Sequence, residues 1–202
     1  MNLDGDLTEV SRAETRLQKL KRMTTSDHQH IDDMVMAMAP FDSRGNYARF
    51  LGLQYVFHRL VKPFYTADDL NVLIPGLSER SRFTSVCADI ADLQCAVPEI
   101  QTPVAVPDAG MERLGWLYVC EGSSLGAAFL LKAATNIGLD ASFGARHLAG
   151  HEDGRGKHWR EFVDQVNGLA LGEQQEQEVI NGAIAAFDFF RILLIEDQKN
   201  AA

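Results

Sequence analysis

Apolar residues recur along this chain at spacings of three and four far more often than they alternate, which predicts helices almost throughout. A first helix is expected over about residues 7–23, with Val10, Leu17 and Leu20 on its inner face. "TTSD" at 24–27 reads as a break, after which Ser26 and Gln29 would form a capping box for a second helix ending near Pro40. "DSRGNYARFLGLQYVFHRLVKPFY" predicts a third, aromatic-rich helix from about Ser43, and Thr66 with Asp69 predicts a short fourth before the turn at Pro75 and Gly76. Ser78 would open a fifth through "RSRFTSVCADIADL", and Pro98, Pro103 and Pro107 make 96–107 an extended connection. Asp108 is the expected cap of a long sixth helix that ends at Gly138, a candidate C′ residue. "GLDASFGARHLAGHEDGRG" is expected to be loop with at most one short turn, followed by helices over about 157–167 and 173–198. About eight helices and no sheet imply an irregular all-α fold in one domain over 1–202, with unordered ends at 1–6 and 199–202.

One stretch disturbs this pattern. "CEGSSLGAAF", residues 120–129, sits inside an apolar helix yet places Gly122 and Gly126 four residues apart, on one face. Each interior glycine costs a helix about 0.5–1 kcal/mol relative to alanine, so something must approach closely enough to exclude a side chain. Either a neighbouring helix packs there, as in small-xxx-small contacts, or a flat ligand lies against the backbone. Ser123, Ala127 and Ala128 are small enough to permit the second.

Charge and cysteine usage narrow the classes of partner. A net charge of −9 argues against nucleic acid, which is held by clustered Lys and Arg. No apolar run spans a bilayer without a charge, and the polar, acidic start is unlike a signal peptide, so no membrane association and a cytoplasmic site of action are expected. Cys87, Cys95 and Cys120 form no CxxC pair, which suggests three reduced thiols. Locally the balance reverses: Arg12, Arg16, Lys19, Lys21 and Arg22 face one acid between residues 12 and 22. That segment is either a solvated helix face or a docking site for an anionic small molecule.

The candidate chemistry is narrowed by what is missing. The sequence has no E-x-x-H, C-x-x-C-H, GxGxxG or P-loop, which disfavours di-iron, c-type haem and ordinary nucleotide chemistry. Of six histidines, His147, His151 and His158 lie in or beside a Gly-rich charged loop and are expected to be solvated, and His58 to be a partly buried structural residue. His28 shares a stripe with Ile31, Val35 and Met38, while His30 shares a face with Met34 and Ala37, so periodicity does not choose between them. A single neutral imidazole in an apolar pocket suits five-coordinate haem iron. With the glycines and the basic segment, it describes a slot for a planar, dianionic, iron-bearing molecule, which is haem.

Over residues 17–194 the chain resembles the biliverdin-producing haem oxygenases of bacteria. The resemblance rests on "SDHQHIDDMV", "PFDSRGNYARFLGLQYVFH", "LIPGLSERSR", "LGWLYVCEGSSLGAAFLLKAA", "FGARHL" and "AFDFFRILL". It implies the all-α haem oxygenase fold, with haem between a proximal helix and a kinked, glycine-bearing distal helix. By position, His28 is implied as the iron ligand, Gly122, Ser123 and Gly126 as the distal residues over the iron, and Arg82 as a member of a proton-delivering network. Lys21, seven residues before His28, and Tyr118 are implied as propionate anchors, with Phe187, Phe190 and Phe57 at the pocket edge or in the plain core. Met36 and Ala133 stand where members that bind a rotated haem carry a lysine, so the resemblance implies α-meso cleavage. The implied reaction takes O₂ and electrons from an external ferredoxin- or flavoprotein-type reductase and releases biliverdin, CO and ferrous iron, with a monomeric enzyme expected. Two alternatives stand beside it: a haem carrier without turnover, and a thiaminase-like hydrolase using Cys120 next to Glu121.

Overall fold

The computed structural model of the protein describes residues 14–99 and 105–201. Its helices are α1 (Arg16–Ala37), α2 (Arg44–Tyr65), α3 (Asp68–Leu73), α4 (Phe83–Leu93), α5 (Glu112–Ala134), α6 (Arg155–Asn167) and α7 (Glu173–Ala201). Short 3₁₀ turns occupy Leu77–Arg80, Thr135–Ile137 and Arg146–Leu148. Among the described residues there is no strand, only isolated bridges from Asp140 to Phe143 and Gly144. The expected all-α class therefore holds.

The expected break at 24–27 does not occur. Helix α1 runs unbroken from Thr15, whose hydroxyl accepts from Gln18 N while the Gln18 side chain accepts from Thr15 N, so the capping box lies eleven residues before the expected one. Thr24 and Thr25 stay within the helix, their hydroxyls donating to Leu20 O at 2.8 Å and Lys21 O at 2.6 Å, one turn back, instead of capping a new one. The part of the expected first helix before residue 14, Arg12 included, lies outside the described residues.

Other boundaries shift for similar local reasons. Ser43 caps α2 as expected, accepting from Asn46 N at 3.1 Å. Thr66 instead bonds Pro63 O, and α3 starts from Ala67. The N–H of Ser78 goes to Asn71 Oδ1 and Ser78 sits inside the 3₁₀ turn that Gly76 caps, so α4 begins only after Arg82. Asp108 caps nothing in α5, whose N-cap is Met111, with its N–H on Glu178 of α7. Gly138 closes the long helix and its 3₁₀ extension at φ +72°, as expected, and α7 continues past residue 198 to Ala201.

Helix α5 is the centre of the core. Phe57 of α2, Trp116 of α5 and Phe189 of α7 form a triangle of rings, with Phe57 6.0 Å from Trp116 and 6.3 Å from Phe189 and those two 5.8 Å apart, and Phe64 meets Trp116 edge-on. Rings of this size each remove ~150–250 Å² from water, contributing about 4–6 kcal/mol before the entropy of ordering them. Two glycines permit the closest helix contact. A Cβ on Gly115 would overlap the backbone of Val179 and Ala183, and a Cβ on Gly182 would overlap that of Glu112. Helices α5 and α7 therefore touch backbone to backbone. Among the described residues α5 alone is long and apolar enough to cross a bilayer, and here it is a core helix with Leu114, Trp116, Leu117, Cys120, Ala127 and Ala134 buried.

Candidate functional site

The second half of α5 turns a different face outward. Gly122, Leu125, Gly126 and Phe129 follow an i, i+3, i+4, i+7 spacing, with Leu125 42% and Phe129 80% exposed. A Cβ on Gly126 would meet nothing within 4 Å, and one on Gly122 would meet only the Trp159 ring at 3.7 Å, an ordinary contact. Helix packing therefore does not explain these glycines; that explanation belongs to Gly115 and Gly182. What remains is an open apolar cradle-like face, kept free of side chains at 122 and 126.

Helix α1 approaches this cradle from the other side. The Tyr118 side chain of α5 lies beside the buried Thr24 of α1, and burial raises its pKa above the ordinary phenol value, partly offset by the Thr24 hydroxyl. One turn further along each helix lie His28 and Gly122. The His28 ring stands edge-on to Phe187 of α7 at 6.0 Å, and its side chain is 61% exposed. Its Nδ1 lies 3.1 Å from Asp32 Oδ2. A proton held on Nδ1 by that carboxylate leaves Nε2 as the free lone pair, the arrangement a metal-ligating histidine needs. His30 is exposed, as is Lys21 one turn before Thr24. The cradle and the donor set fit haem: a flat apolar face backed by glycines, one imidazole with its tautomer set, and Lys21 and Tyr118 to one side.

A polar frame holds the distal stretch from behind. Arg82 donates to Cys120 O at 2.6 Å and to Ser123 Oγ at 2.8 Å, and Ser123 Oγ itself donates to Cys120 O at 2.7 Å. A carbonyl has two lone pairs. The helical bond from Ser124 N must share Cys120 O with two side chains, which favours bending at this turn. Glu121 is buried and accepts from Tyr65 Oη at 2.6 Å and Arg80 Nε at 2.9 Å, while Arg80 also donates to His158 O. Next to it His58 Nδ1 is 3.6 Å from Cys120 Sγ. Burial, reinforced by the Arg82 charge, pulls His58 well below its ordinary pKa and keeps it neutral. Burial likewise pushes the Cys120 thiol up. A buried thiol whose pKa is raised is a poor nucleophile, which speaks against the thiaminase-like alternative.

Several expected placements change. Phe187 meets His28, while Phe190 packs edge-on to Phe57 at 5.6 Å and Phe57 joins the Trp116 cluster, the core being one of the two placements expected for them. His147 is not solvated: it is 1% exposed, with Nδ1 2.8 Å from Asp89 Oδ2. Within the basic segment, Arg16 is held by Glu176 at 2.7 Å and by Val166 O and Leu169 O, and Arg22 by Glu14 at 2.9 Å. Those two charges serve the fold or the surface, and Lys19 and Lys21 are left as the described candidates for an anion. The sequence reading missed the Arg80–Glu121–Tyr65 cluster, Asp89–His147, Gly115 and Gly182. Glu121 carried a signal, being a carboxylate in an apolar helix that has to find a buried partner.

The all-α fold, with His28 of α1 near the glycine face of α5, is that of a haem-binding enzyme. A family model described as haem oxygenase matches residues 14–196, and the chain belongs to that family, whose members are oxidoreductases. Among curated relatives, haem oxygenase PigA of Pseudomonas aeruginosa is 44% identical over 193 residues, 95% of this chain and 98% of the relative. Among solved structures, the NO- and CO-bound haem oxygenase of Neisseria meningitidis matches with a TM-score of 0.87 and 44% identity, over 92% of each chain.

Proposed function

We propose that the protein opens haem at its α-meso carbon to give biliverdin, CO and ferrous iron, drawing O₂ and electrons from a separate ferredoxin- or flavoprotein-type reductase. The product would serve iron acquisition from haem or bilin supply. The observation that carries this reading is the outward face of α5, where Gly126 has no protein atom in reach of a Cβ. Three unpaired thiols are compatible with work in a reducing cytoplasm.

Bound haem would supply iron for O₂ chemistry and be the molecule consumed. The chain's part is to hold and orient it. His28 Nε2 would be the iron ligand, its tautomer set by Asp32. Lys21 and Tyr118 would hold the propionates by charge-assisted and phenolic hydrogen bonds. Gly122 and Gly126 would let the backbone lie against the ring, and Phe187 would limit its tilt beside His28. Ser123 Oγ, held by Arg82, would order water on the distal side, and no distal imidazole would compete for that role. Met36, 56% exposed on α1, and Ala133 offer no charge to hold a rotated ring, which supports α regiochemistry.

The test is direct. Purified protein mixed with hemin should show a Soret band that gives way to a bilin spectrum on adding reductant and O₂. A complex whose Soret band persists would instead be a haem carrier. His28→Ala should abolish the five-coordinate imidazole spectrum and His30→Ala should not; the reverse result overturns the ligand assignment.

A further inference from the structure

Two main-chain oxygens of α5, one turn apart, are each drawn to a guanidinium from another element. Arg82, immediately before α4, holds Cys120 O at 2.6 Å. Arg155, the first residue of α6, donates from one Nη to Ser124 O at 2.8 Å and from the other to Leu148 O. In an undisturbed helix these two oxygens accept only from Ser124 N and Ala128 N. A charged donor outside the helix competes for them, lengthens those bonds and bends the axis. The turns affected are the ones that carry Gly122 and Gly126.

Arg155 is itself held in place. Gly150 leaves room for it, since a Cβ there would stand 2.9 Å from Arg155 Cγ. Leu148, its second acceptor, ends the 3₁₀ turn whose His147 and Arg146 backbone N–H groups both donate to Asp89 of α4, at 2.9 Å each. Helix α4 thus reaches the distal stretch twice: directly through Arg82, and through Asp89, the "FGARHL" turn and Arg155. A contrast lies further along the same chain. Arg44 also bonds two carbonyls, Ile137 O and Gly138 O at 2.9 Å each, but past the end of α5 and away from the glycines.

We propose that Arg155 is a positioning residue for haem oxidation, which by holding Ser124 O sets, together with Arg82, the bend of the Gly122–Gly126 turn against the ring. The role rests on the haem reading above, and its test therefore begins without haem. In the haem-free protein, Arg155→Ala should make amide exchange at residues 124–130 about tenfold faster, the scale of losing a hydrogen bond to a charged group. Arg44→Ala should accelerate exchange only around 135–140. With hemin, Arg155→Ala should shift the pH of the complex's acid–alkaline spectral transition and slow bilin formation about tenfold. Arg44→Ala should change neither.

Wild-type exchange at 124–130 in Arg155→Ala, altered exchange with unchanged hemin spectra and rate, or the same spectral change in Arg44→Ala would each overturn the proposal. Should Arg155→Ala not fold, Arg155→Lys decides. It keeps the charge but lacks the planar fork that spans Ser124 O and Leu148 O, so intermediate exchange supports the role and wild-type exchange overturns it. A wild-type protein that forms no bilin would defeat the proposed function, whereas the exchange result stands or falls on the helix alone.

Discussion

Gly115 and Gly126 lie on the same helix and answer to different constraints. Around Gly115 the missing side chain is filled by α7, whose own Gly182 reciprocates, so both positions are fixed by protein backbone. Around Gly126 the missing side chain is filled by no protein atom, and its neighbours Leu125 and Phe129 are exposed although apolar. The first glycine belongs to the stability of the fold, and the second, which packing does not require, to the ring-binding role proposed for it. Identical residues in one helix thus divide into a structural half and a functional half, and space alone tells them apart.

The contrast is sharpest under substitution. Gly115→Val and Gly182→Val should each cost about 3 kcal/mol or more, because backbone rather than a flexible side chain is displaced, and urea unfolding should find them at or beyond the limit of folding. Gly126→Leu should change unfolding free energy by no more than about 1 kcal/mol, in the stabilising direction, since it relieves the glycine cost in a helix. The same variant should lower hemin affinity or bilin formation at least about tenfold, the scale of blocking a bound geometry. A Gly126→Leu protein with normal turnover would end the distinction.

Acid should weaken the buried half. Burial lowers the pKa of both His58 and His147 below 6.5, in His147 against the pull of Asp89. Both bind a proton more readily when unfolded, so their stabilisation is complete above about pH 6.5 and falls as pH drops toward their folded values. The slope reaches about 1.4 kcal/mol per pH unit for each group fully linked. Urea midpoints measured from pH 7.5 to 5 should show it, and His147→Gln should reduce the slope while leaving the part due to His58. Asp89 adds acid sensitivity lower down: burial raises its pKa, but bonds from His147 and Arg146 outweigh that and hold it below the usual carboxylate value.

The smallest expected effect lies at the rim of the slot. Lys21→Ala should leave folding unchanged and broaden the product from mainly the α isomer to a mixture, read by chromatography of the bilins, because Tyr118 alone then resists rotation of the ring. A wild-type product already mainly β or δ would defeat the anchoring assignment.

Much of this was legible along the chain. The 3.6-residue period gave the helices, and Ser43 and Gly138 marked true ends, but the same period left His28 and His30 undecided until the family resemblance implied His28. The resemblance carried by "CEGSSLGAAF" and "SDHQHIDDMV" led to the family. Local signals failed where two local answers were available. Thr24, Thr25 and Ser26 can cap a new helix or bond back one turn, and packing of Thr24 against Tyr118 favours the second. His147 sits among glycines and charges that suggest solvent, yet Asp89, 58 positions away, makes its burial tolerable.

By itself the sequence determined that this is an all-helical chain with two unexplained glycines, two histidines on apolar helix faces and the motifs of its family, because periodicity and side-chain size are local properties. Only the tertiary structure decided which glycines touch protein backbone and which leave open space, that Phe190 packs on Phe57 while Phe187 meets His28, and that Arg155 reaches Ser124. Those are relations between segments far apart in the chain, and no single segment contains the space that separates them.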